Sequence, residues 1–127
     1  MGADPVKLIH LLYRGAIDSV GAARRSLAAG DIAQRSRQIQ KAWDILQELN
    51  QSLDRERAGS LGIQLTALYV YTQRRLIEAN IRQTDGPLAE VEMLLGTLAE
   101  GWRSILSASA ATAEAGANEY EPVSCSY

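Results

Sequence analysis

Four stretches of this chain repeat apolar residues every three or four positions, and that repeat constrains the fold more than any other feature. Val6, Ile9, Tyr13, Ala16, Val20, Ala23 and Leu27 follow one another at alternating steps of 3 and 4. Such spacing keeps one face of an α-helix apolar and cannot serve a strand, whose faces alternate every residue. Asp4-Pro5 reads as the start of this first helix, with Asp4 as its N-cap. Gly30 ends the helix, and Asp31 caps the next, with Gln34 placed for a capping box.

The pattern then recurs. The second helix carries Ile32, Ile39, Ala42, Leu46, Leu49 and Leu53, with Trp43 and Ile45 widening the stripe. The run from Leu53 to Ser60 is the polar joint after it. The third helix carries Leu61, Leu65, Leu68, Thr72, Leu76 and Ala79, and Thr84-Asp85-Gly86-Pro87 breaks the chain. The fourth carries Leu88, Val91, Leu95, Leu98, Trp102 and Ile105. Asp85, Glu90 and Glu92 suit the positive end of its dipole. Gly96 and Gly101 each cost about 1 kcal/mol relative to Ala. The expected fold is all-α: an antiparallel four-helix bundle over residues 1–113, with a short fifth helix as an alternative and a flexible tail over 114–127. Cys125 lies in that tail and reads as an incidental thiol.

Composition narrows the chemistry. The 127 residues include one His, one Cys and no Phe. A single Cys forms no disulfide within the chain, and one His with one Cys falls short of the ligand set of a conventional zinc site. His10 stands beside the first seam with no identifiable nucleophile or orienting partner, so it reads as a surface or groove-edge residue. Di-metal bundle sites need Glu-x-x-His pairs on two helices, and Lys7 stands three before His10. No enzyme activity, metal or cofactor is expected. Charge is uneven: net +4 up to Thr84 and −6 from Asp85 onward. Acidic residues interrupt the basic half, which argues for a solvated bundle surface and against nucleic-acid binding. No apolar run approaches the roughly 20 residues of a membrane span, and no signal sequence is visible, so a soluble cytoplasmic protein is expected. The Arg74–Glu78 spacing reads as an ordinary helix ion pair.

The third helix carries more apolar residues than one seam needs. Ile63, Ala67, Val70, Ile77 and Ile81 form a second helical row, offset by two residues, or roughly 200°, from the Leu61-Leu65-Leu68 row. Two readings stay open from periodicity: a central helix buried on both sides, or a face that lines a groove for a partner helix. Leu8, Leu11 and Leu12 crowd the first helix in the same way.

The order of several short motifs resembles one family. Tyr71-Thr72-Gln73-Arg74-Arg75-Leu76-Ile77-Glu78-Ala79-Asn80 is similar to a stretch of the flagellin-specific export chaperones, the FliS family. Asp4-Pro5-Val6-Lys7-Leu8-Ile9 with Leu12-Tyr13-Arg14-Gly15-Ala16 resembles the family's opening, where Ser-Pro usually stands. Gly30-Asp31, Leu53-Asp54, Gly59, Glu90-Val91, Leu94-Leu95 and Trp102 fall where the family's joints and last helix have theirs. The resemblance spans about residues 4–106.

It implies a non-enzymatic cytoplasmic chaperone that binds the C-terminal segment of flagellin as helices in hydrophobic grooves. Such a chaperone prevents premature polymerisation and delivers flagellin to the type III export apparatus. The export gate and a co-chaperone are further implied partners; nucleic acid and stable membrane insertion are not. Together with the surplus apolar faces, it points to Leu8, Leu12, Tyr13, Ile45, Leu49, Ile63, Val70, Ile77 and Ile81 as candidate client-groove residues. The chain departs from the family in the three residues before Asp4, where an arm that can lie over the groove is usual, and in its Ala-rich C-terminus. The alternative is a helical adaptor or regulatory bundle that no longer binds flagellin.

Overall fold

A computed structural model describes residues 5–54 and 58–119, with side chains described from 7 to 103 outside that gap. Four helices follow in order: α1 (Pro5–Ala29), α2 (Ile32–Ser52), α3 (Ser60–Arg82) and α4 (Gly86–Glu119). α1 packs against α2 and α4, and α3 packs against the same two. Cross-helix partners set the directions. Arg35 and Trp43 of α2 meet Asn80 and Gln73 of α3, in reversed order along the chain. Tyr13 and Arg24 of α1 meet Trp102 and Glu92 of α4, again reversed. The result is an antiparallel four-helix bundle.

The seams face inward. Tyr13, Ala16, Val20 and Ala23 of α1 are buried, as are Ile39, Ala42, Leu46 and Leu49 of α2 and Leu88, Val91, Leu95 and Ala99 of α4. Small residues on α1 let α2 approach closely. An added Cβ on Gly15 would meet Ile45 Cδ1 at 3.3 Å. Burying a large aliphatic side chain contributes roughly 1.5–3 kcal/mol, so these inward rows supply most of the driving force.

Two seam positions differ from the hydropathy pattern. Ile32 is 58% exposed, and the inward place between it and Ile39 is held by Arg35, which is 5% exposed. The buried row of α2 is therefore Arg35, Ile39, Ala42, Leu46 and Leu49. On α3 the inward row is Gly62, Leu65, Tyr69, Thr72, Gln73, Leu76 and Ala79, and Leu61 is exposed. With Tyr69 and Gln73 inside, the row is turned partway round the helix from the expected stripe.

The joints follow from end chemistry. At the α1–α2 joint Gly30 takes φ +74, and the Asp31 N–H donates to the Ser26 carbonyl at 2.9 Å. A left-handed residue that folds the chain back in this way closes a helix. The Asp31 carboxylate accepts the Gln34 N–H at 3.1 Å, so the N-cap forms. The reciprocal half of a capping box does not. The Gln34 side chain accepts from Arg37, and the Asp31 N–H is already used. The α3–α4 joint closes in the same manner at Gln83, φ 56, with the Thr84 N–H on the Ala79 carbonyl at 3.4 Å.

The backbone of α4 continues past residue 113, where composition placed the start of a tail, as far as Glu119. The Asp4 cap, the Val6 and Ile105 side chains, and Cys125 lie outside the described residues.

Candidate helix-binding grooves

A single side-chain network links three helices at the centre of the bundle. The Tyr13 and Tyr69 hydroxyls are 2.6 Å apart, and Trp102 Nε1 donates to the Tyr13 hydroxyl at 3.1 Å. Burial pushes both phenols above their ordinary value, so both stay neutral at any physiological pH. The two tyrosines fill the core, and the half-buried Trp102 reaches from them to the bundle surface. Tyr13 and Leu49, candidates from the sequence, are 0% and 3% exposed and belong to this core.

The other candidates fall on the outside, in two groups. Leu8 and Leu12 of α1 and Ile45 of α2 line one groove, rimmed by Lys41, Asp44 and Glu48. Ile77 and Ile81 of α3 line a second groove with Trp43 and Ile39 of α2; its volume is about 300 Å³. Ile63, at 71% exposed, and the half-buried Val70 lie further along the same outer side of α3. Helix α3 is therefore not buried on both sides. Its Ile77 and Ile81, at 47% and 73% exposed, face outward while Leu76 and Ala79 are fully buried.

Side-chain hydrogen bonds tie α2 to α3 beside this groove. Asn80 Oδ1 accepts from Arg35 Nε at 3.0 Å and from Ser36 Oγ at 3.2 Å. Gln73 Nε2 donates to the Trp43 carbonyl at 3.2 Å and to Gln47 at 3.1 Å. These bonds satisfy polar groups that would otherwise be costly to bury, and they hold α2 and α3 at a fixed separation. Trp43 and Asn80 were not among the sequence candidates. In the hydropathy pattern Trp43 widens the core stripe, and no periodicity marks Asn80.

A third groove, between α3 and α4, was missed altogether. Leu61, Leu65, Leu98, Gly101 and Trp102 line it, with almost no polar surface beyond Thr97. In the hydropathy pattern Leu61, Leu98 and Trp102 belong to inward seams. Residues at the edge of a stripe look identical in sequence whether they end in a core or beside it.

Ion pairs brace the faces away from these grooves. Arg24 of α1 holds Asp85 through two contacts at 2.8 Å and Glu92 at 2.6 Å. Arg75 of α3 holds Glu90 at 2.6 Å and Glu78 at 2.7 Å, and the Tyr71 hydroxyl donates to Glu90 at 2.6 Å. Glu78 thus pairs with Arg75, not with Arg74 as the spacing suggested. The Arg24 guanidinium holds Asp85 below the usual carboxylate range. The Tyr71 hydroxyl and then Arg75 do the same for Glu90. The acidic residues near the start of α4 act as cross-helix partners, in addition to any effect on its dipole. His10 is half-buried with an unpartnered Nδ1 and lines none of the grooves described.

A four-helix bundle with aliphatic grooves open along its outer faces offers surfaces that a partner helix can cover. Comparison with known proteins narrows this further. The family model described as "Flagellar protein FliS" matches residues 1–109. The Flagellar secretion chaperone FliS of Salmonella typhimurium is 38% identical over 106 residues, covering 83% of this chain and 78% of the relative. The FliS of Bacillus subtilis is 34% identical, covering 82% and 77%, and the FliSB of Pseudomonas aeruginosa 37%, covering 81% and 82%. The chain belongs to the FliS family of flagellar secretion chaperones, a family of chaperones and not of enzymes. No described helix is long and apolar enough to cross a membrane.

Proposed function

We propose that this chain is a cytoplasmic export chaperone that binds the C-terminal segment of flagellin. Bound flagellin is kept from polymerising before export and is delivered to the flagellar type III export apparatus, where the export gate or a co-chaperone receives it. One observation carries the reading. In a FliS-family bundle whose core is already filled, Ile63, Ile77 and Ile81 leave an aliphatic face of α3 open beside the α2–α3 groove.

The physics suits a releasable client. A disordered amphipathic segment gains by burying its aliphatic stripe against such a face. It must also become ordered, which costs roughly 2–5 kcal/mol or more of the gross interaction energy. The complex is therefore stable enough to keep flagellin subunits apart and weak enough to hand over. A groove whose walls are tied by the Asn80 and Gln73 bonds needs little rearrangement, which leaves most of the ordering cost with the client.

The test is polymerisation. Monomeric flagellin is induced to form filaments with and without one equivalent of the chaperone, and light scattering is followed. Suppression near one to one supports the reading. Filament growth at the same rate with the folded chaperone present contradicts it. Recovery of a regulator without flagellin from native cytoplasm would favour the adaptor alternative.

A further inference from the structure

Two adjacent arginines on α3 have different partners. Arg75 is held by Glu90 and Glu78. Arg74 is exposed and has no hydrogen-bond or ion-pair partner among the described residues. The acid one turn on, Glu78, is turned away from it, with Oε1 on Arg75 at 2.7 Å and Oε2 at 3.7 Å from Arg82.

The place Arg74 occupies is specific. The outer row of α3 runs Ile63, Ala67, Val70, Arg74, Ile77 and Ile81, at steps of 4, 3, 4, 3 and 4. Arg74 fills the gap between Val70 and Ile77, so one cation interrupts an otherwise apolar ridge near its middle. At about 1.5 Å per residue the ridge is roughly 27 Å long, enough for about five turns of a partner helix. α3 packs on α2 and α4 through its other side, and no other helix among the described residues packs on the ridge.

A helix with an unbroken aliphatic stripe would have to cover this guanidinium and strip its water without replacing it, which is costly. A helix carrying a carboxylate opposite it would form a charge-assisted hydrogen bond, with aliphatic neighbours excluding water on both sides. We propose that the segment docking on the α3 ridge is an amphipathic helix whose aliphatic stripe is interrupted by one Asp or Glu, and that Arg74 pairs with that carboxylate and sets the register. Val70 and Ile77 lie four before and three after Arg74, so the partner carries aliphatic residues three or four positions to each side of its acid. This deepens the export-chaperone reading and rests on it.

The experiment uses the full chain and a synthetic peptide of the flagellin C-terminal segment, titrated at low and moderate salt. Arg74→Glu is expected to weaken binding at least 10-fold, and Arg74→Met severalfold with a smaller salt dependence. Both variants are expected to melt as the parent does. Peptides in which single Asp or Glu residues are changed to Lys are then titrated, and one of them is expected to bind Arg74→Glu better than it binds the parent. If Arg74→Met binds as tightly as the parent, or no Lys-bearing peptide restores binding to Arg74→Glu, the proposal is overturned while the export-chaperone reading stands. If the parent chain binds no flagellin peptide at all, the reading fails and takes the proposal with it.

Discussion

The Tyr13 hydroxyl, 2.6 Å from that of Tyr69, also accepts the indole N–H of Trp102, so one oxygen on α1 serves side chains from both α3 and α4. The two tyrosines come from helices on opposite corners of the bundle, and their rings lie 6.4 Å apart at 53°. A polar knot in this position fixes how the helices meet, because any other rotation of α1 or α3 leaves a buried hydroxyl unpaired.

Removing the shared oxygen is therefore expected to cost more than removing its neighbour. Tyr13→Phe leaves both the Tyr69 hydroxyl and the Trp102 N–H without their partner, and should destabilise the bundle by about 2–3 kcal/mol. Tyr69→Phe keeps the Trp102 bond and should cost about 1 kcal/mol. Urea denaturation of the two single variants and the double variant checks this. Equal losses, or additive ones, would mean the network is not shared through Tyr13.

The same pair sets an alkaline limit. Both phenols are raised in the folded state. Their contribution is therefore complete below the unfolded tyrosine value of about 10 and is lost as pH rises above it. Melting temperature is expected to fall above pH 10, less steeply in the Tyr13→Phe, Tyr69→Phe double variant than in the parent.

The acid side is set by carboxylates with the opposite shift. Asp85 and Glu90 are lowered in the folded state, so their contribution is present above the unfolded range near pH 4 and lost as pH falls through it. Arg24→Met should lower the melting temperature at pH 7. The gap between parent and variant should close as pH falls below about 4 and Asp85 is protonated. A gap that stays constant from pH 7 to pH 3 would show that Arg24 acts through packing alone.

Two backbone positions are open to stabilisation. Gln83 takes φ 56, a conformation that costs most side chains roughly 1–2 kcal/mol, so Gln83→Gly is expected to gain up to about 1 kcal/mol. Gly96 lies inside α4 with nothing within 4 Å of an added Cβ, and Gly96→Ala should gain about 1 kcal/mol. Thermal melts check both. A loss at Gly96 would show that the site is tighter in solution than its surroundings allow.

Periodicity made two of the helices legible almost residue by residue. The alternating steps from Ile9 to Leu27 and from Leu88 to Trp102 land on core or core-edge positions. It failed where a polar residue holds an inward place. Arg35 and Gln73 are buried because Asn80, Trp43 and Gln47 bond them, and hydropathy cannot see a bond partner 30 or 45 residues away. The second row on α3 was readable as surplus. That it is a surface, not a second buried side, required knowing which elements flank α3. The same limit placed Tyr13 and Leu49 among groove candidates, although both lie within the core.

The proposed division of α3, an outer face for the client and an inner face for the bundle, is open to one direct measurement. Isothermal titration of the flagellin C-terminal segment into the parent chain and into Ile77→Asp tests it, with circular dichroism of both. Ile77 is half exposed, so the substitution is expected to cost less than about 1 kcal/mol of stability. The expected result is tight binding by the parent, at least a 10-fold loss with Ile77→Asp, and unchanged helicity and melting. Binding that survives Ile77→Asp, or a bundle that unfolds with it, would show that the client does not dock on the outer face of α3.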